Sequence, residues 1–493
     1  MSQLSRVFLP LSIVFASALF SNQATVSAAF LVEDKSPPNI VVFLCDDLGY
    51  GDLECFGHPH IKTPNLNQMA ADGIRFTDFY SAAPVCSSSR VGLLTGRNPN
   101  RAGVYDWIPP ANKNARADGR EQVHMRIEEA TIPSVLKSAG YATCMAGKWH
   151  CNSRFNDKTQ PQPGDFGFDH WLATQNNAAP SHKHPNNFIR NGKRVGKTES
   201  FSCNFVAKEA SNWLRKHNAA KPEQPFFIYI AFHEPHEPVS SPKKLVDEYK
   251  PVAKSNDQAQ YFANVANVDV AVGRFLKTLD ELKLRENTLV IFTSDNGPET
   301  LNRYKSANRS FGTPNPLRGM KLHTHEAGFR VAGIMRWPNQ IESGQTVSVP
   351  VSSLDFLPTF CDLAKTEKPD RHLDGANFLP ALKGETIERA QPLFWMYLNA
   401  INQSRVAMRD GKWKVLARLD GGKFPRMQNV TPERMKKIQA AKLTDIEIYD
   451  LSTDVAESKN LAAEMPEFAK KQKEKLRELF DSANQDSHVW TPQ

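Results

Sequence analysis

Four short apolar segments, each followed directly by polar residues, constrain the fold of this 493-residue chain more than any other feature. Each segment is four to seven residues long and rich in Val, Ile, Phe and Tyr, which is typical of buried strands in an α/β sheet. The four are NIVVFLCDD, YATCMAGKWH, PFFIYIAFHEPHEP and TLVIFTSDNG. Helical patterns such as ATIPSVLKSAG and ANVDVAVGRFLKTLDELKL lie between them. Alternating strands and helices predict a largely parallel sheet covered by helices on both faces.

The polar residues that end these segments are the first candidates for a functional site, because open α/β sheets bind ligands beyond the carboxyl ends of their strands. The side chains found there are Asp46, Asp47, Lys148, His150, His233, His236, Asp295 and Asn296. Three carboxylates and an amide oxygen at one sheet edge would repel unless a hard cation neutralised them, and such ligands suit Ca²⁺ or Mg²⁺ rather than zinc. The three histidines are zinc ligands by residue type, but their spacing alone supports no zinc site.

Cys86 stands before three serines and an arginine in the stretch APVCSSSRVGLLTGR. Serines are good N-cap residues, and RVGLLTG is long enough for one or two helical turns that end at Gly96. This pattern predicts Cys86 at a helix N-terminus, where free amides favour an anion, with Arg90 one turn further on. The local sequence leaves two interpretations of Cys86 open: a reactive nucleophile or an inert buried cysteine.

After about Glu385 the pattern changes to that of a smaller α+β domain. PLFWMYL and RVAMRDGKWKVLARL, with a turn at Asp410-Gly411, predict antiparallel strands. EIYDLSTDVAESKNLA predicts a further strand, and MPEFAKKQKEKLRELFDSA predicts a charged terminal helix. We therefore predict a catalytic domain over residues 29–384 and a C-terminal domain over residues 385–493.

The first 28 residues have the pattern of a secretory signal peptide. Arg6 precedes the apolar run VFLPLSIVFASALF, and TVSAA offers small residues for cleavage after Ala28. The run has fewer than eighteen uninterrupted apolar residues, which disfavours a membrane-spanning helix. We predict a secreted or periplasmic protein with no stable membrane insertion after signal cleavage.

Net charge limits the classes of binding partner, and cysteine content limits the number of disulfide bonds. The net charge of +8 favours anionic partners, but no basic run interleaved with aromatic residues predicts binding to nucleic acid. Seven cysteines are too few for a disulfide scaffold in a chain of this length, and their odd number leaves at least one thiol unpaired.

Several motifs resemble those of one enzyme family. CSSSRVGLLTG resembles the C-x-P-x-R signature of the type I, formylglycine-dependent sulfatases, and GKWH resembles their second signature. NIVVFLCDDLGYGD, FHEPHEP, FTSDNGPE, LRGMKLHTHEAGFRV and YDLSTDVAESKNLA agree with further family blocks in order and spacing, so the resemblance covers residues 39–462. It is strongest to arylsulfatase-like and N-acetylgalactosamine-6-sulfatase-like members. It implies an alkaline-phosphatase-like α/β fold, with a large mixed sheet sandwiched by helices and a smaller C-terminal α+β domain containing an antiparallel sheet.

The resemblance also implies a role for each site residue. A sulfatase-maturing enzyme would oxidise Cys86 to formylglycine, whose hydrated aldehyde is the nucleophile. A divalent ion, calcium with magnesium as the alternative, would be bound by Asp46, Asp47, residue 86, Asp295 and Asn296. The remaining catalytic residues would hold the formylglycine (Arg90, Lys148), take the proton of its second hydroxyl (His150), and hold the sulfate and stabilise the leaving alcohol (Lys321, His236). Ser88 stands where the family signature has proline, which removes a fixed backbone angle from the segment that the maturing enzyme reads.

The expected substrate is a sulfated oligosaccharide. The polar segments 152–200 and 306–316 are predicted to be loops near the pocket. Within them, QNNAAPSHKHPNNFIRNGKR and SANRSFGTPNP offer amides, hydroxyls and cations with few large apolar side chains, which suits sugars better than steroids or aryl groups. Two alternatives stay open: a phosphate or phosphonate ester hydrolase of the same superfamily, and a non-catalytic protein that binds sulfated glycans.

Overall fold

The computed structural model describes residues 37–111, 120–421 and 430–491. The predicted signal peptide, residues 1–28, lies outside the described residues, so its assignment stays a prediction. None of the described helices combines the length and the apolar composition that crossing a membrane requires. All seven cysteines are described, and all are free thiols.

Strands and helices succeed one another throughout the described residues. The strands are β1 Asn39–Asp46, β2 Ile74–Tyr80, β3 Ala142–Lys148, β4 His170–Thr174, β5 Ile189–Arg190, β6 Lys193–Arg194, β7 Phe226–Pro235, β8 Thr288–Ser294, β9 Arg330–Arg336, β10 Gln345–Val347, β11 Val351–Ser352, β12 Leu393–Tyr397, β13 Arg405–Asp410, β14 Trp413–Leu419 and β15 Leu443–Asp450. The helices are α1 Pro64–Ala71, α2 Cys86–Thr95, α3 Ile132–Ser138, α4 Ser202–Ala220, α5 Lys243–Tyr249, α6 Asn256–Glu281, α7 Glu326–Phe329, α8 Phe356–Leu363, α9 Pro432–Ala440 and α10 Pro466–Gln485.

The large sheet has the strand order β10-β2-β9-β8-β1-β7-β3-β4-β5-β6, with β11 paired to β2. The four apolar segments of the sequence form its centre as β8, β1, β7 and β3, and they are parallel to one another, which confirms the prediction. The sheet is mixed because β9 runs antiparallel to both of its neighbours, β2 and β8. The expectation of loops over residues 152–200 was wrong for β4, β5 and β6, whose pairing with β3 and with one another supplies the hydrogen bonds that local sequence does not indicate.

Helices cover both faces of this sheet, as predicted. On one face, Phe43 of β1 packs edge-on against Phe275 of α6, with ring centroids 5.5 Å apart. On the other face, Phe227 of β7 packs against Phe360 of α8, with ring centroids 6.2 Å apart. Phe227 is paired with Ile40, an odd number of residues from Phe43, and side chains alternate between the faces of a strand, so the two aromatic contacts lie on opposite faces. The central strands are therefore buried on both sides, which explains their continuous apolar sequence.

The C-terminal region contains the predicted antiparallel sheet, in the order β12-β13-β14-β15. Asp410 pairs with Trp413, so a tight turn at residues 411–412, in which Gly411 has a φ of 56°, joins β13 to β14 close to the predicted position. Helix α10 packs across β13, β14 and β15. The described residues belong to one compact unit, and the domain boundary at residue 385 stays a prediction.

The small sheet docks on the large one through stacked aromatic rings. The rings of Trp395 in β12 and Phe329 in α7 are parallel, with centroids 4.2 Å apart. The indole N–H of Trp395 donates to the backbone carbonyl of Ser81, 2.9 Å away, in the segment that leads to α2. The C-terminal sheet therefore supports the chain segment just before Cys86.

A buried ion pair lies beside these rings. Lys414 of β14 donates to Glu326 of α7 over 2.7 Å, and its ammonium lies 4.1 Å from the centre of the Phe329 ring. Burial raises the pKa of Glu457, the second carboxyl near this lysine, to about 8. Burial also opposes ionisation of Glu326, yet Lys414 and two nearby arginines lower its pKa to about 2. At neutral pH one charged carboxylate therefore faces Lys414, and the second carboxyl is protonated.

Replacing Lys414 tests how much this ion pair contributes to stability. Lys414→Ala removes the nearest cation from buried Glu326 and leaves it only the longer ion pair with Arg330 at 3.2 Å, so we expect the free energy of unfolding to fall by about 3 kcal/mol. The matched control is Lys412→Ala, which removes a half-exposed lysine paired with Asp450 at 2.6 Å and should cost less than about 1 kcal/mol. Urea denaturation of the two variants measures both losses. Equal losses would show that the buried pair does not anchor the small sheet.

Candidate active site

The polar residues that end the central strands meet at one edge of the large sheet. Asp46 and Lys148 are the last residues of β1 and β3, whereas His236, Asp295 and Asn296 directly follow β7 and β8. Two further residues, Asp47 and His150, lie just after β1 and β3 in the left-handed backbone conformation, with φ values of 64° and 53°. Because β8, β1, β7 and β3 are adjacent and parallel, their carboxyl ends bring all of these side chains together.

Three buried carboxylates in this cluster are each paired with a buried cation. Lys148 donates to Asp46 over 2.5 Å, and Lys321 donates to Asp47 over 2.6 Å. Arg90 donates from Nε to Asp295 over 2.9 Å and from Nη1 to the Lys148 carbonyl, also over 2.9 Å. Three formal negative charges thus face three formal positive charges. The pairing holds the side chains in fixed positions, since none of the six has much access to solvent.

The three cations do not fully stabilise the ionised form of the carboxyl groups, as the pKa values show. Burial raises the pKa of Asp295 to about 7 and that of Asp47 to about 6, against the lowering effect of the nearby cations. Burial acts in the same direction on Asp46, but Lys148, His236 and Arg90 hold its pKa well below the usual value. A further cation at this edge would therefore be favoured, because it would stabilise the ionised form of the first two carboxyl groups.

The donor set fits a hard divalent cation. Ligand atoms of Asp46, Cys86 and Asp295 lie within 4.8 Å of one another, as do those of Asp46, Asp47 and His236. Asp46 Oδ1 and Asn296 Oδ1 are buried and accept no hydrogen bond from any described residue. The amide nitrogen of Asn296 donates to Asp47 over 2.7 Å, which holds this side-chain amide at the cluster. Carboxylate and amide oxygens in this number suit Ca²⁺ or Mg²⁺.

Cys86 is the first residue of α2, at the helix N-terminus as predicted. The expectation of a serine N-cap was wrong: the extended Val85 precedes the helix and no side chain caps it, because the serines follow Cys86 inside the first turn. Gly96 ends the helix with a φ of 65°, as predicted. Burial raises the pKa of the Cys86 thiol to about 11, although Lys148 and Lys321 oppose the shift. The unmodified thiol is therefore protonated at neutral pH, which makes it a poor nucleophile.

His150 is held in one tautomer. Its Nε2 lies 2.9 Å from the carbonyl of Ile108 and must donate to it, so Nδ1 carries no proton in the neutral ring. Nδ1 is buried and has no hydrogen-bond partner among the described residues. Burial, with Lys148 and Arg90, lowers the pKa of His150 well below the usual value. The backbone N–H of Ile108 donates to Ser87 Oγ over 3.0 Å, so the helix that begins at Cys86 also positions the peptide that orients His150.

A cavity of about 460 Å³ opens onto the cluster, and we call it the active-site cavity. Two predicted site residues, Lys321 and His236, line it. Local sequence patterns did not indicate the following lining residues as members of the site: Val85, Asp106, Trp107, Glu237, Arg303, Tyr304, Leu322 and Tyr397. Tyr397 donates to Asp106 over 2.8 Å across 291 positions of the chain, and no local pattern indicates such a contact. Arg303 could have been found from the sequence through Glu299, which belongs to the FTSDNGPE motif. Glu299 binds Arg303 at 2.6 Å and lies 3.7 Å from Lys321.

Of the remaining residues that the sequence suggested for the site, some line the active-site cavity and others lie away from it. Asn176 and Asn177, from the first predicted loop, line the active-site cavity, and so does Ser306 from the second. Thr313 of the second loop instead donates to Asp52 over 2.8 Å. His233 lies in the protein interior, where its Nε2 is 2.8 Å from Thr174 Oγ1 and its ring packs edge-on against Phe188. A metal-binding role for His233 has no support from these contacts.

The fold and this site define a class of protein with an alkaline-phosphatase-like α/β domain, in which an acidic and cationic cluster adjoins a cysteine at a helix N-terminus. The family model named Sulfatase matches residues 38–366, so the chain belongs to the sulfatase family and is a sulfuric ester hydrolase. The model of the C-terminal part of N-sulphoglucosamine sulphohydrolase matches residues 320–419.

Individual relatives agree over most of the chain. The chain is 33% identical to arylsulfatase A of Homo sapiens over 479 residues, which cover 91% of this chain and 89% of that protein. It is 35% identical to N-acetylgalactosamine-6-sulfatase of Canis lupus familiaris over 378 residues, covering 73% and 68%. Among solved structures, Ps i-CgsB in complex with k-i-k-neocarrahexaose has a TM-score of 0.76 and 26% identity, covering 93% of this chain and 95% of that one.

The acidic cluster can be tested by cation binding, independently of activity. A divalent cation that binds only the folded protein should raise Tm, since at about 100 times Kd it adds about 2.7 kcal/mol to the free energy of unfolding. Asp295→Asn removes one charged ligand, so we expect most of this shift to be lost. Asp52→Asn is the control, because Asp52 is equally buried but is bound by Tyr261, Thr313 and Gly49. Differential scanning fluorimetry with calcium and magnesium measures the shifts in Tm. Equal shifts in both variants would show that the cation does not bind at Asp295.

Proposed function

We propose that this chain removes sulfate from sulfated carbohydrates, using a formylglycine made from Cys86 and a bound calcium ion. The observation that carries the proposal is the active-site cavity itself, in which Lys321 and His236 lie at the sheet edge beside Cys86. A sulfate ester gains negative charge at the leaving oxygen as the S–O bond breaks, and its sulfuryl oxygens are already anionic. Cations already fixed at that position stabilise the transition state without reorganisation.

The proposed nucleophile and cofactor each have a place in the cluster. The hydrated aldehyde of formylglycine would supply a hydroxyl at position 86, and calcium would withdraw charge from the sulfate oxygens. Asp46, Asp47, Asp295 and Asn296 would hold the ion, and the main support is that Asp46 Oδ1 and Asn296 Oδ1 are buried and accept no hydrogen bond from a described residue. Arg90 and Lys148 are anchored to Asp295 and Asp46, so they present fixed positive charge near residue 86.

The two histidines fit opposite proton transfers. His150 carries its proton on Nε2, so its Nδ1 can accept a proton from residue 86. The Nδ1 of His236 lies 2.8 Å from the carbonyl of Glu237 and donates to it, while Nε2 lies 3.5 Å from Asp47 Oδ2 and would be the nitrogen that serves the substrate. When Nε2 is protonated it can donate to the leaving alcohol oxygen, and general acid catalysis of this kind contributes about 10²–10⁴ in rate.

The walls of the cavity favour a sugar as the alcohol part of the ester. Asn176, Asn177 and Ser306 offer amide and hydroxyl groups that match sugar hydroxyls, and Trp107 and Tyr304 offer aromatic faces. The named relatives include an N-acetylgalactosamine-6-sulfatase and a protein solved in complex with neocarrahexaose. Arylsulfatase A is also among them, so the aryl ester belongs in the test.

Export is part of the proposal. Its support is the N-terminal sequence, in which a basic residue, an apolar run and small residues before Ala29 follow one another as in a signal peptide. Fractionation of cells that express the full chain, with N-terminal sequencing of the product, tests it. A mature protein in the cytoplasm that still begins at Met1 would contradict export.

The modification of Cys86 is tested by mass spectrometry of active protein. In a host with a sulfatase-maturing enzyme, the tryptic peptide that ends at Arg90 should carry an aldehyde or its hydrate in place of the thiol. Cys86→Ala should abolish turnover, whereas Cys55→Ala, which removes a half-buried thiol elsewhere, should retain it. Fully active protein with only the thiol would exclude formylglycine. Ser88→Pro should raise the converted fraction if the maturing enzyme reads proline at that position.

Substrate class is tested with a panel of sulfated mono- and oligosaccharides, an aryl sulfate and the matching aryl phosphate. We expect kcat/KM to be highest for a carbohydrate sulfate, because the cavity walls bind hydroxyl groups. A preference of tenfold or more for the aryl sulfate, about 1.4 kcal/mol at the transition state, would contradict the carbohydrate assignment. Faster turnover of the phosphate would favour the alternative phosphate or phosphonate ester hydrolase. Binding of sulfated glycans without turnover of any ester would favour the non-catalytic alternative.

A further inference from the structure

A second cavity, of about 690 Å³, lies beside the active-site cavity, and we call it the adjoining cavity. The same two chain segments line both cavities. In the first segment, Asp106 and Trp107 line the active-site cavity, whereas Pro110 and Ala111 line the adjoining one. In the second segment, Asn176 lines the active-site cavity and Gln175 the adjoining one. Gln175 and Asn176 are consecutive, with Cα atoms about 3.8 Å apart, so the two cavities share a wall.

The shared wall is rigid. The Gln175 side-chain amide donates to the carbonyl of Asn152 over 2.8 Å, and the Gln175 carbonyl accepts from the backbone N–H of His150 over 2.8 Å. The wall therefore has a fixed position relative to the proposed catalytic histidine. A ligand that extends from one cavity into the other would therefore pass the shared wall in one fixed position.

The side chains that line the adjoining cavity carry more positive than negative charge. Arg154 and Arg194 line it, and neither forms an ion pair with a carboxylate in the described part of the chain. By contrast, the nearby Arg190 is bound by Glu209 at 2.6 Å. Asp157 also lines the cavity, but its carboxylate already accepts hydrogen bonds from Thr159 at 2.9 Å and 2.8 Å. These hydrogen bonds and the charge of Arg154 lower the pKa of Asp157, so the cavity lining holds two guanidinium groups and one carboxylate, a net charge of +1.

The remaining lining suits a sugar ring. The side chain of Phe155 is partly exposed in the cavity, and its ring is held edge-on by Trp171 with centroids 5.9 Å apart. Asn156, beside it, is exposed and offers an amide. An aromatic face, an amide and two guanidinium groups match a sugar that bears an anionic substituent, because guanidinium binds sulfate or carboxylate oxygens in pairs.

We propose that the adjoining cavity is a subsite for an acidic sugar, sulfated or carboxylated, next to the sugar that loses its sulfate. The inference rests on the proposed carbohydrate sulfatase function and narrows its substrate to acidic oligosaccharides. Arg154 and Arg194 bind the acidic group, and Phe155 packs against the ring. The subsite selects among substrates and takes no part in the chemistry.

Kinetics with three substrates test the subsite. They share one sulfated sugar and are the monosaccharide, an oligosaccharide with a neutral neighbouring sugar, and one with an acidic neighbouring sugar. We expect kcat/KM for the acidic oligosaccharide to exceed that for the neutral one by about tenfold or more, mainly through KM. The double variant Arg154→Ala/Arg194→Ala should bring this ratio close to one. Lys470→Ala, which removes an exposed charge on α10, is the control and should leave the ratio unchanged.

A binding measurement separates failure of the subsite from failure of the proposed function. In a Cys86→Ala background, isothermal titration calorimetry with an acidic oligosaccharide that lacks the scissile sulfate should show Kd about tenfold or more higher when both arginines are replaced. If the wild-type enzyme turns over no carbohydrate sulfate but binding still depends on the arginines, the subsite stands and the proposed function fails. Binding that does not depend on them, or an unchanged kinetic ratio, overturns the subsite.

Discussion

The pairing of three buried carboxylates with three buried cations at one sheet edge is the constraint on which the site depends. Asp46, Asp47 and Asp295 could not be buried without Lys148, Lys321 and Arg90, since an unpaired buried charge costs several kcal/mol. The partners come from different elements: β1 and β8 supply the acids, while β3, α2 and the segment before α7 supply the bases. The site therefore exists only when the sheet and α2 are assembled, and assembly alone brings Cys86 next to it.

The same cluster explains why the protein is suited to sulfate esters. Its formal charges balance, yet burial raises the pKa of Asp47 and Asp295 because the cations present do not fully compensate them. A divalent cation would favour the ionised form of both carboxyl groups and would leave net positive charge for an anionic ester, so metal binding and substrate binding would be coupled. The C-terminal sheet contributes indirectly, because Trp395 and Tyr397 hold the segments before Cys86 and around Asp106 in place.

Prediction from sequence was most successful where one pattern decides the structure. The central strands were recognisable because strands buried on both faces are apolar at every position, and the end of α2 because Gly96 follows it with a positive φ of 65°. It failed for β4 to β6, which are short, polar and stabilised by pairing with neighbours. It also failed for the helix cap, since Cys86 itself begins α2 and Ser87 accepts a hydrogen bond from the backbone of Ile108 instead of capping the helix.

By itself, the sequence determined the central parallel strands, their polar ends and, through its motifs, membership of the sulfatase family. These features are local, because each depends on the residue types within a few positions of one strand or helix. Only the tertiary structure decided that Lys321 pairs with Asp47, that His150 carries its proton on Nε2, and that Tyr397 closes the cavity onto Asp106. Those contacts join residues far apart in the chain, and their energy arises only when burial removes water from both partners.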